Sequence, residues 1–242
     1  EVEAGVVYLV QVGSYTLGNT GDLVLRFDIG PPCKSISQIK CLPIGSSVTL
    51  CDAVLTGYFM GFPEVQQLDR GSGIHLTTSS PQLAAGTVVV ATGQLARSPH
   101  GNLYVQGGAY AGTGTVAAKP LGMITAAVGG SALCNQAGAP GGMGPSNISL
   151  LVKVWGRVTG VDAVNRWYWI DDGCALAGAP PYTGLRVWTE RTTLPSVGEY
   201  VQVVGWPWLW GPGNTPLIRE PWTGASEGSA SESPSIDRAV GK

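Results

Sequence analysis

Two histidines, one pair of adjacent aspartates and five cysteines are the first residues in this chain to weigh for proton exchange, metal binding or covalent bonds. His75 lies in "GIHL" and His100 in "SPHGN", and neither is accompanied by a serine-centred elbow, so both read as structural or solvent-facing. Asp171 and Asp172 in "DDGCALAG" have the look of a carboxylate pair or a calcium loop, but further oxygen ligands at fixed spacing are missing. Asp69 in "LDRGSG" recurs at a matching place, and a turn-forming role covers both. The run "GTGTVAAK" at 112–119 is Gly-rich without the phosphate-loop pattern. No catalytic residue, metal site or cofactor is therefore expected.

The cysteines are Cys33, Cys41, Cys51, Cys134 and Cys174; none forms a CxxC pair and only two histidines exist, so a structural zinc site is not expected. Two disulfides and one free thiol fit a secreted protein. The preferred arrangement is Cys134 with Cys174 and one pair among Cys33, Cys41 and Cys51; five small buried apolar residues are the alternative. Asn147-Ile148-Ser149 fits an N-glycosylation sequon, so Asn147 is a candidate for decoration, as is the Ser-rich C-terminal tail.

Aromatic residues supply the other recognisable chemistry. All eight tryptophans lie between 155 and 222, and Trp206, Trp208 and Trp210 stand at every second position of "VVGWPWLWGPGN". In a strand these three share one side. Trp167 and Trp169 form a second alternate pair, with Trp188 on the next strand and Trp222 further on. Such rows suit base stacking, sugar stacking or burial in an interface. Burial against another subunit or a packed terminal segment is the first expectation, and glycan binding the second.

Composition fixes what must position these groups. Only 12% of the residues are charged, against roughly a quarter in average proteins, and Gly (36) and Pro (17) are abundant. This favours short strands joined by tight turns. The net charge of −2, with no basic cluster, lacks the footprint of a nucleic-acid binder. No apolar run approaches the roughly 20 residues of a membrane span, so no membrane insertion is expected. The first residue is Glu1, which is expected to reflect removal of a signal peptide or a fragment.

Two stretches repeat. "VTLCDAVLTGYF", "QQLDRGSGIHL" and "QLAAGTVVVATGQL" match "LVKVWGRVTGVD", "YWIDDGCALAGAPPYTGLRV" and "LPSVGEYVQVVGWP" in order. Thr56-Gly57 falls on Thr159-Gly160, Leu68-Asp69 on Ile170-Asp171, Gly73-Ile74 on Gly184-Leu185, and Gly86 and Gly93 on Gly198 and Gly205. Five short strands per copy, the first one bent at glycine, predict a small closed barrel. The second copy, with its V-x-G-x-V first strand, its Asp-Gly turn and its "VGEYVQVVG" fourth strand, resembles an OB-fold. It is similar to OB domains of nucleic-acid-binding proteins and to tandem OB-like domains of uncharacterised secreted bacterial proteins. The resemblance implies an all-β chain of two tandem five-stranded OB-like Greek-key barrels, and says little about ligand.

The expected organisation is an N-terminal strand segment at 1–32, a first barrel at 33–110, a Gly/Ala/Pro-rich linker at 111–149, a second barrel at 150–222 and an extended tail at 223–242. Val6, Val7, Tyr8, Leu9 and Val10 form an apolar run suited to adding a strand to a neighbour's sheet edge. The function these readings predict is a non-enzymatic extracellular or cell-surface subunit. It would polymerise head to tail with copies of itself into a filament or lattice. A secreted carbohydrate-binding module using the Trp-rich face is the alternative.

Overall fold

Alternating residues of "VKVWGRVTGVD" send Val152, Val154 and Val158 inward and leave Lys153, Trp155 and Arg157 on the outside, as an extended strand requires. The computed structural model describes residues 32–78, 82–176, 182–189, 191, 193–211 and 213–220. The apolar run Val6–Val10, Trp222 and the tail at 223–242 lie outside the described residues.

In the first repeat, β1 (Ser47–Phe59), β2 (Phe62–Gln67), β3 (Gly73–Thr77), β4 (Thr87–Arg97) and β5 (Leu103–Gln106) hydrogen-bond in the order β1-β2-β3-β5-β4, and β4 returns to β1. All these pairings are antiparallel except β3 with β5. A further strand, β6 (Tyr110–Thr115), adds to β4, and β7 (Leu121–Gly122) runs parallel to the next strand. The second repeat consists of β8 (Val152–Asp162), β9 (Trp167–Asp171), β10 (Leu185–Thr189), β11 (Tyr200–Trp210) and β12 (Thr215–Glu220). It follows the same order, β8-β9-β10-β12-β11, closed by β11 on β8, with β10 parallel to β12. The chain is all-β, with two tandem five-stranded OB-like barrels.

Each barrel has its own core, built around Leu50, Leu55, Ile74 and Leu95 in the first and Val152, Val154, Ile170 and Val203 in the second. A short helix, α1 (Ile36–Lys40), adds Ile36 and Ile39 to the first core and is held by a Ser35–Gln38 capping box.

The repeated Thr-Gly is a shared β-bulge. Register shifts between Leu55 and Gly57 against β2, and between Val158 and Gly160 against β9. In both bulges the threonine hydroxyl bonds across the break, Thr56 Oγ1 to Glu64 O (2.9 Å) and Thr159 Oγ1 to Trp169 O (3.4 Å). The match of Leu68-Asp69 with Ile170-Asp171 is not kept by the pairing, because Asp171 ends β9 whereas Asp69 lies beyond β2.

The segment at 111–149 differs most from its reading as a linker. Its first five residues belong to β6, and the rest is laced to its surroundings. Asn135 Nδ2 donates to Leu42 O (2.7 Å), Leu103 N donates to Gln136 Oε1 (3.0 Å), and Gln66 Nε2 donates to Lys119 O (3.4 Å). Several of its glycines serve close packing: a Cβ at Gly130, Gly138 or Gly142 would run into neighbouring backbone, at Gly142 into the carbonyl oxygen of Gly130.

The disulfides join Cys33 to Cys51 and Cys41 to Cys134, leaving Cys174 free and exposed. One pair does come from Cys33, Cys41 and Cys51, but the expected Cys134–Cys174 bridge is replaced. The loop around Cys134 is folded back onto the end of α1, where Asn135 N donates to Lys40 O (3.2 Å).

Candidate functional site

The tryptophan row of β11 faces the chain's own first barrel. Trp206 is fully buried; its Nε1 donates to Thr56 Oγ1 (2.9 Å), and its ring lies over Gly57, where an added Cβ would meet it at 2.9 Å. Trp208 meets His75 edge to face at 5.6 Å, and Trp210 lies against His100 at 5.0 Å. The partner expected from the sequence, another subunit or a terminal segment, is thus supplied within the chain. Removing bulk at Gly57 of β1 is what lets the second barrel approach this closely.

At the centre of this seam, strands β2 and β3 of the first barrel present Glu64 and His75 to Arg219 of β12. Glu64 is completely buried, His75 is 7% exposed and Arg219 4%. One carboxylate oxygen, Glu64 Oε1, accepts from His75 Nδ1 (2.8 Å) and from Arg219 Nη2. Burial pushes the Glu64 carboxyl up, but Arg219, His75 and Ser149 outweigh it and hold the group below the usual carboxylate range. The guanidinium is sandwiched between Trp208 (3.9 Å) and Phe59 (4.4 Å), and Phe59 also takes the edge of Trp188 (4.9 Å). Around this centre, Asn102 pairs with the backbone of Leu209 like a strand residue, accepting from its N–H and donating to its C=O, both at 2.9 Å. Lys40 is also buried; its Nζ donates to Ile148 O (3.2 Å), and burial lowers its pKa to about 7 despite the nearby Glu64 charge.

Trp167 and Trp169 of β9 and Trp188 of β10 lie on the outer face of those strands. Trp169 is 3% exposed and stacks on Tyr182 (3.9 Å, 19° between planes), which lies over Gly160, where any side chain would collide with the tyrosine ring. Arg186 stands opposite Trp169 across the strands and lies over Trp167 at 4.6 Å; Trp188 stands opposite Trp167. Trp155, on β8, is 51% exposed, with Lys153 Nζ 5.5 Å from its ring centre.

Asn147, the sequon residue, is 6% exposed. Its side chain accepts from Gly129 N and donates to Ala127 O, both at 2.7 Å, so the amide nitrogen a glycan would need is already engaged. Asp69 caps its own turn through Gly71 N (2.7 Å), and Asp172 holds Thr125 through its N–H (2.8 Å) and hydroxyl (2.7 Å). Among the described residues no group of three His, Cys, Asp or Glu side chains could hold a metal ion, and no helix is long and apolar enough to cross a membrane.

Sequence reasoning singled out none of Glu64, Arg186, Arg219, Lys40 and Asn102. The available signal was a charged residue inside an apolar strand, as in "FPEVQQ" and "TPLIRE". Comparison with protein-family models, curated proteins and solved structures gives no match.

Proposed function

We propose that this protein is a non-enzymatic extracellular structural subunit that polymerises by β-strand addition between copies. The observation that carries this reading is the edge of the first sheet. β6 pairs with β4 alone among the described residues, and Ala111, Gly112, Thr113, Gly114 and Thr115 are all exposed. An exposed strand of small residues, with no charge to repel a neighbour, is a template for another chain's strand. The run Val6–Val10 of a second copy is a continuous stretch of strand-forming apolar residues suited to fill it.

Two further features support the reading. Two disulfides belong to proteins of oxidising compartments. The seam between the barrels also gives a building block of fixed shape. A heterologous contact that does not close into a ring continues as a filament.

Light scattering and electron imaging of the native protein test the proposal. Long particles are expected, and deletion of residues 1–12 should reduce them to monomers. Gly114→Lys should do the same, since a Cβ there meets nothing nearer than 4.0 Å and the lysine guards the edge without disturbing the fold. A folded monomer of the unaltered chain would overturn it.

A further inference from the structure

The two barrels have the same fold but use the same face differently. Gly57 pairs with Glu64 in the first bulge and Gly160 with Trp169 in the second, so Glu64 and Trp169 occupy equivalent positions. Ile74 pairs with Val65 as Leu185 pairs with Ile170, which makes His75 and Arg186 equivalent. In the first barrel this face receives an arginine from its neighbour. In the second barrel the face itself holds the arginine, and no third barrel follows among the described residues.

We propose that the β9–β10 face of the second barrel binds an acidic sugar, with Arg186 receiving the carboxylate of a uronic acid residue and the exposed aromatic surfaces of Trp167 and Tyr182 receiving its ring. Arg186 is 9% exposed, and its Nε and Nη2 hydrogens are buried with no acceptor. Burial alone pushes its guanidinium below the ordinary value, and no acid among the described residues offsets it. The cross-strand Trp169 Nε1 is a second buried donor without an acceptor. Buried donors without partners are rare in folded proteins, and a charged one is costly.

The seam shows what satisfies such an arginine in this molecule. Arg219, flanked by two aromatic rings just as Arg186 lies over Trp167, is met by a carboxylate. The Arg186 site has the flanking ring and the unpaired donors, and lacks only the anion. Its donors are all N–H groups, which select an acceptor-only ligand, and a guanidinium takes a carboxylate in two parallel bonds. Trp167 and Tyr182 are partly exposed, giving flat walls for the apolar face of a pyranose. Asp171, next but one to Trp169 on the same side of β9, can accept from sugar hydroxyls. The negative net charge and the missing basic cluster disfavour a nucleic-acid strand as the anion.

The test is a titration of the full chain, followed by tryptophan fluorescence and calorimetry, with short oligomers of galacturonate, glucuronate and mannuronate and with their methyl esters. The ester keeps the ring and removes the charge. At least one free acid should bind about tenfold or more tightly than its ester, and Arg186→Gln and Trp167→Ala should each lose about tenfold or more of that affinity. Trp155→Ala, away from the site, should bind as the parent does. Arg186→Gln should unfold at the same or a higher denaturant concentration than the parent, because it removes an uncompensated buried charge. Equal binding of acid and ester, no saturable binding of any of the three acids, or displacement by a peptide of residues 223–242 or by oligothymidylate would overturn the proposal. Particle size, measured separately, decides polymerisation whichever way the titration falls.

Discussion

Replacing Glu64 by leucine removes the one carboxylate paired with Arg219 among the described residues, and with it the partner of His75 Nδ1. Arg219, 4% exposed and held by β12, has no route to water that keeps the barrels together. Breaking a buried pair in this way costs about 3–5 kcal/mol, most of it from the stranded charge. Arg219→Leu should cost a similar amount by leaving Glu64 buried with His75 alone. The double variant Glu64→Leu/Arg219→Leu removes both charges and leaves a leucine at the place between Phe59 and Trp208, so it should lie within about 1 kcal/mol of the parent or above it. The coupling between the two sites is then about 5 kcal/mol or more in magnitude. Urea unfolding at neutral pH, read by tryptophan fluorescence, measures all four corners, with Trp208 under the guanidinium as a reporter. Because folding holds the Glu64 carboxyl low, its stabilisation is fully present above the ordinary value of about 4.3. It is lost as pH falls through the lower folded value, and the double variant should lack that loss. A cost below about 1 kcal/mol for Glu64→Leu, or a double variant as unstable as the sum of the singles, would refute this account of the seam.

The disulfides and the buried lysine give two more outcomes. Cys41 and Cys134 are 93 residues apart and Cys33 and Cys51 only 18, so on chain entropy Cys41→Ser/Cys134→Ser should lose about 1.5 kcal/mol more than Cys33→Ser/Cys51→Ser in denaturant unfolding. Between about pH 7 and the ordinary lysine value of 10.5, the unfolded chain keeps a proton on Lys40 that the folded chain has released. Stability should therefore rise with pH across that window, and Lys40→Met, monitored by unfolding at several pH values, should flatten the rise.

The strand content, the repeat and the glycine bend of the first strand were legible in the sequence because each depends on residues close together in the chain. Alternation decides which side of a strand is apolar, and a glycine at a bend decides where the first strand kinks. The same local rules set Trp206, Trp208 and Trp210 on one side of a strand. They misread the segment at 111–149, since Gly, Ala and Pro mark a flexible chain and a chain packed backbone to backbone equally well. The disulfide pairing was beyond them for a related reason: Cys134 meets Cys41 only because the loop carrying it folds back beside Lys40.

What only the tertiary structure decided is the partner of each face. Glu64 and Arg219 are 155 residues apart, and Thr56 and Trp206 are 150 apart. Neither residue of either pair carries a local mark of the other. The sequence by itself determined two similar barrels and an aromatic-rich second copy, because hydrophobic periodicity and turn chemistry act over a few residues. Which face of one barrel covers which face of the other depends on the shape and charge of surfaces that exist only after both have closed. That docking buries one arginine against a carboxylate and leaves Arg186, on the equivalent face of the second barrel, without one.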